Sequence, residues 1–144
     1  MTKKLIYRTM FLVGLSSLAL SSCDKDETPT KPAVTITEVG NHDGADGQIA
    51  AGDDLHLEAE IVAEGLIAEI TVEIRQAENG AYRIEEKFAA DSKYFGLKNV
   101  GFHEHIGIPA EAPLGEYRLH LAVRDKAGQT TAAETVLVIV AEDE

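Results

Sequence analysis

The chain has 144 residues, a length that suits one domain once any targeting segment is set aside, and a formal net charge of −12. So acidic a chain is unsuited to binding nucleic acid by phosphate neutralisation, which takes clustered Lys and Arg. Cys23 is its only cysteine, so no disulfide forms within the chain.

The N-terminus reads as a targeting segment. Lys3, Lys4 and Arg8 give it positive charge, and Met10 to Leu20 is apolar. That run is about 11 residues, against the ~20 a spanning helix needs. It ends in Leu20-Ser21-Ser22-Cys23, which resembles the lipobox of bacterial lipoproteins. The resemblance implies removal of residues 1–22, a diacylglycerol on the Cys23 thiol and acylation of the new amine with chains such as palmitate. Two or more acyl chains anchor a protein stably, where one does so only marginally. Residues 1–22 carry three positive charges and no acid, so the formal charge goes from −12 to −15 on their removal. Anionic headgroups repel a domain of that charge, so the expected membrane partnership runs through lipidated Cys23.

Residues 23–32 form an acidic tether with two prolines, Pro29 and Pro32, and no apolar side chain that packs. Its start, Cys23-Asp24-Lys25-Asp26-Glu27, resembles the export signal of Bacteroidetes-type surface lipoproteins. By that resemblance Lys25, Asp26 and Glu27 direct the protein to the outer face of the outer membrane. A periplasm-facing anchor is the alternative.

From residue 33 to 144 apolar residues recur at every second position, the period of half-buried strands. Val34 and Ile36 alternate with threonines; Leu55, Leu57, Ala59 and Ile61 alternate with His56, Glu58 and Glu60; Ile70, Val72 and Ile74 alternate with Glu69, Thr71 and Glu73. Further alternating runs follow at Tyr82–Phe88, Ile106–Ile108, Tyr117–Val123 and Thr135–Ala141. About seven strands result, the count of an immunoglobulin-like β-sandwich. A two-residue Asn79-Gly80 turn would pair Ile74 with Glu85 and mix faces. A three-residue loop, Glu78-Asn79-Gly80 with Gly80 left-handed, pairs Ile74 with Ile84 and Ile70 with Phe88, and is the expected register.

Near the C-terminus, Pro113-Leu114-Gly115-Glu116-Tyr117 sets a tyrosine at a strand start, with a tight Asp125-Lys126-Ala127-Gly128 connection beyond. This resembles the tyrosine corner and final hairpin of immunoglobulin-like modules, which gives Tyr117 a structural role. Asp54-Leu55-His56-Leu57, Phe102-His103-Glu104-His105-Ile106-Gly107-Ile108-Pro109 and Gly115-Glu116-Tyr117-Arg118-Leu119-His120-Leu121 together resemble a domain family of unknown function found in Bacteroidetes-type lipoproteins. That resemblance leads to an expectation of histidine where Arg118 stands, a departure that weakens transfer of any histidine-based site.

Catalysis is not expected. Beyond residue 22 the chain has one serine, Ser92, and its one cysteine is the acylation site, so nucleophile–base pairs are nearly absent. Sugar binding is weakly supported, because there is no tryptophan. Tyr94 and Phe95 are the aromatics best placed for exposure, with plugging of the sandwich edge as the favoured reading. The histidines carry the strongest chemical signal. His103 and His105, two apart on a strand, point to one side with Cα atoms about 7 Å apart. His56, outward on a strand expected alongside, supplies a third nitrogen, and Glu58 an oxygen. Met1 and Met10 leave with the signal, so a soft Cu(I) site lacks sulfur, whereas imidazole with carboxylate suits Zn(II), Cu(II) or Ni(II). His120 belongs to the strand of Tyr117, expected in the other sheet. His42, in Asn41-His42-Asp43-Gly44-Ala45-Asp46-Gly47, reads as part of a solvated loop without the spacing of an EF-hand. Two functions follow in order: a non-catalytic surface module with a protein partner in the outer envelope and no cofactor, then a Zn- or Cu-binding lipoprotein.

Overall fold

A computed structural model describes residues 27–42 and 47–142. The expected signal peptide (1–22), Cys23, Lys25 and Asp26 lie outside the described residues, whereas Glu27 is described and exposed. Eight strands follow in order: β1 (Ala33–Gly40), β2 (Gln48–Ala50), β3 (Asp54–Val62), β4 (Ile67–Gln76), β5 (Arg83–Phe88), β6 (Asn99–Gly107), β7 (Gly115–Asp125) and β8 (Thr130–Val140). The strand the sequence left unread is β2, three residues long and too short to show alternation. Among the described residues no helix is long and apolar enough to cross a membrane.

The strands form two sheets, β1-β3-β6 and β2-β8-β7-β4-β5. All neighbours are antiparallel except β2, which runs parallel to β8. After β1 the chain leaves the first sheet and enters the second as β2, a switch that helps close the sandwich. This is an immunoglobulin-like β-sandwich, defined by its own sheet order. The core lies between the sheets: Leu55, Leu57, Ala59, Ile61, Phe102 and Ile106 face Ile70, Val72, Ile74, Leu119, Leu121 and Val123.

The hairpin of β4 and β5 takes the expected register, Ile74 opposite Ile84 and Ile70 opposite Phe88. Gly80 has φ 61°, which glycine adopts at little cost, and Asn79 Oδ1 accepts a hydrogen bond from the Ala81 N–H. The tyrosine corner is present too. Tyr117 is fully buried and its hydroxyl donates to the Pro113 carbonyl at 2.7 Å. Tyr117→Phe keeps the ring but strips that carbonyl of its donor, and should cost about 1–3 kcal/mol. Urea unfolding checks this: the midpoint should fall with an unchanged slope.

One irregularity positions the site. In β1 the register shifts between Ile36, opposite Ala59, and Glu38, opposite Glu58. Because side chains alternate with period two, that one-residue slip reverses the faces. Without it Glu38 would face Leu57 in the core. With it, Val39 turns inward and Glu38 joins Glu58 on the outer surface.

Candidate metal centre

The outer face of the three-stranded sheet carries two cross-strand rows. Glu38, Glu58 and His103 form one; Gly40, His56 and His105 form the other. The alternation that buries Leu55, Leu57, Phe102 and Ile106 turns these side chains outward. Gly40 places no side chain beside His56, and the chain then turns back over this face at His42.

His56 is outward-facing by register yet only 8% exposed, because neighbouring groups cover it. Its ring stacks on His42 with centroids 5.7 Å apart, meets His103 edge-on at 4.8 Å and lies 5.3 Å from His105. His103 and His105 are 5.6 Å apart. One nitrogen from each of His56, His103 and His105 falls within 4.8 Å of the others. A tetrahedral ion at ~2.05 Å from each nitrogen needs those atoms about 3.3 Å apart. The gap is an ångström or so of ring rotation, available to His103 and His105, which are both exposed.

The carboxylates decide which nitrogens carry lone pairs. His56 Nε2 lies 3.4 Å from Glu58 Oε1 and 3.5 Å from Glu38 Oε2. A proton on Nε2 would face these carboxylates and leave the lone pair on Nδ1, a buried atom with no hydrogen-bond partner. His103 Nδ1 lies 3.1 Å from the same Glu58 Oε1, which leaves its Nε2 free. Carboxylates orienting imidazoles from behind are the usual outer shell of a metal-bound histidine. Glu38 and Glu58, like charges directly opposite each other, would otherwise repel. A cation beside them relieves that repulsion.

The structure brings together His56, His103, His105 and Glu58, the residues singled out in the sequence, and leaves His120 on the other sheet, 3.3 Å from Glu134. It also adds two groups. Glu38 was hidden by the bulge. His42, read as solvated, is exposed but stands over His56 and 5.6 Å from His105, and with Asp53 and Asp54 it lines an adjoining cleft. Asp43 and Asp46 of its loop lie outside the described residues.

Beneath the site, Glu104 points inward between Phe102 and Ile106. Burial opposes its charge, but hydrogen bonds from Lys93 and Tyr94 outweigh that and hold its carboxyl below the usual range. Tyr94 is buried at the sandwich edge, as favoured above, with its hydroxyl 2.6 Å from Glu104 Oε1 and 3.1 Å from the His103 carbonyl. Burial and then Glu104 push the Tyr94 phenol up. Phe95 instead stays 39% exposed under the Lys126 ammonium. Tyr94→Phe should loosen β6 where it carries His103, costing about 1 kcal/mol by urea unfolding.

Residues 21–140 match the domain of unknown function (DUF4625), and the chain belongs to that family. No curated protein matches it. Among solved structures it is similar to Spo0M, a sporulation control protein from Bacillus subtilis, at 11% identity and a TM-score of 0.47. The match covers 78% of this chain and 49% of that one, so the chain spans about half the length of Spo0M. It is also similar to murine CRIg, at 9% identity and a TM-score of 0.39, covering 79% of this chain and 100% of the other. Likenesses this distant carry no argument about function.

Proposed function

We propose that this is a non-catalytic, lipid-anchored envelope protein whose sandwich binds a divalent transition-metal ion, Zn(II) or Cu(II). The ligands are His56, His103 and His105, with Glu58 and Glu38 as orienting carboxylates and His42 in reach as a fourth nitrogen. The observation that carries the reading is His56, a buried imidazole whose Nδ1 lacks any hydrogen-bond partner while two further imidazoles lie beside it. A buried polar atom left unpaired costs about 1–3 kcal/mol, and a metal ion is the partner such a lone pair suits.

The anchor belongs to the same proposal. It rests on the lipobox-like Leu20-Ser21-Ser22-Cys23 and the export-like Lys25-Asp26-Glu27, which favour a Bacteroidetes-type lipoprotein on the outer face of the outer membrane. The test is calorimetric titration of residues 24–144, which exclude the Cys23 thiol as an adventitious ligand, with Zn(II) and Cu(II). Binding at micromolar or lower Kd supports the site. Absence of binding would sink it and return the domain to the broader reading, a surface module with a protein partner.

A further inference from the structure

The tether enters the fold at the end of the sandwich opposite the histidines. Gln129 Nε2, in the β7–β8 turn, donates to the Pro29 carbonyl. The Pro29 ring lies against Gly65, in the β3–β4 turn, where an added Cβ would sit 3.1 Å from Pro29 Cγ. β3 runs from His56 to Val62 at this end, about 20 Å at the rise of a strand.

This end is also where exposed apolar side chains gather. Val62, Leu66, Phe95 and Leu97 are 44%, 37%, 39% and 45% exposed, and they are four of the six large hydrophobics exposed among the described residues. Backbone bonds from Gly96 N–H to the Ile67 carbonyl at 2.7 Å and from Ile67 N–H to the Leu97 carbonyl at 2.9 Å tie the last three together. Leu66 is the telling one. It has φ 64°, a left-handed conformation that glycine or asparagine adopts readily and a bulky side chain does not. Conformational ease does not explain a leucine there, and its side chain is left 37% exposed instead of joining the core. Although the protein as a whole is acidic, Lys126 lies over Phe95 at 4.5 Å and Lys98 flanks Leu97, its ammonium shared with Glu64 at 3.3 Å.

We infer that this end rests on the lipid surface that holds the anchor. Leu66, Phe95 and Leu97 enter the boundary between headgroups and acyl chains, Lys126 and Lys98 meet lipid phosphates, and the histidine face is held outward. The inference rests on the acylation of Cys23. Pro29 is the sixth residue after Cys23, and six residues of chain reach no more than about 22 Å, so the anchor holds this end within contact of the bilayer. Apolar side chains with flanking lysines are the composition of a surface that lies in the interface plane.

The chain has no tryptophan, so one introduced indole reports alone. Full-length protein matured to its lipidated form would be made as Leu66→Trp, as Phe95→Trp, which preserves an aromatic there, and as Leu114→Trp in the β6–β7 connection. Each would be reconstituted into vesicles of phosphatidylethanolamine and phosphatidylglycerol containing brominated phosphatidylcholine. Emission of Leu66→Trp and Phe95→Trp should shift to the blue and fall at least about twofold, as expected for a side chain about 5–10 Å deep. Leu114→Trp should be unchanged. A protein that floats with the vesicles while all three indoles stay unquenched overturns the inference and leaves the anchor standing. A protein that neither floats nor carries acyl chains by mass spectrometry overturns both.

Discussion

Replacing His103 and His105 together with alanine is expected to weaken Zn(II) or Cu(II) binding by at least about a hundred-fold. Losing an outer-shell partner of a metal site costs 10–100-fold by itself, and this change removes two of three nitrogens outright. Both rings are exposed, so the double variant should fold as the parent does. Glu58→Gln is the more discriminating change. Its Oε1 faces both His56 Nε2 and His103 Nδ1, so one carboxylate is placed to orient two ligands at once. A fall of about ten- to a hundred-fold is expected, with no change in ligand count. His120→Ala should leave affinity unaltered, because His120 sits with Glu134 on the other sheet. If affinity survives the double variant, or falls equally with His120→Ala, then the bound ion is held by the general acidity of the surface and the three-histidine site is wrong.

The pairing of β3 with β6 that underlies this prediction was legible in outline. Alternation placed His56, Glu58, His103 and His105 outward, and the strand order of an immunoglobulin-like sandwich set the two strands side by side. The Gly80 loop was legible because only one register kept Ile74, Ile84, Ile70 and Phe88 on one face. What escaped was whatever breaks the period. Glu38 follows Thr-Ile-Thr in an alternation that would turn it inward, and only the bulge, whose benefit is Val39 in the core, turns it out. His42 lies in a polar, glycine-rich stretch with no period at all, so its approach to His56 depends on where the chain changes sheets. Glu104 alternates correctly but is polar at an inward position. Its partners, Lys93 and Tyr94, come from a loop whose path no local pattern fixes. The contact of Pro29 with Gly65 and Gln129 joins residues far apart in sequence, beyond the reach of any local signal.

The second large effect concerns the floor of the site. Phe102→Ala should destabilise the domain by about 3–5 kcal/mol, the range for emptying a buried aromatic position. Phe102 is 1% exposed and packs edge-on against Phe88 at 5.4 Å and tilted against Tyr94 at 5.1 Å, so truncation leaves a cavity and unties a three-ring cluster. Against a typical total of 5–15 kcal/mol, urea unfolding should register a large fall in midpoint. The comparison variant is Leu121→Ala, equally buried but on β7 in the five-stranded sheet, with an expected cost of about 2–5 kcal/mol. The two should part company in metal affinity. β6 is the edge of its sheet and β3 is its one strand neighbour, so a cavity under Phe102 frees the segment that carries His103 and His105 from its alignment with His56. Under conditions where both variants are fully folded, Phe102→Ala should bind Zn(II) several-fold more weakly while Leu121→Ala binds as the parent does. Equal affinities would mean that the exposed rings find the ion without help from the packing beneath them, and that the site is organised by its carboxylates instead.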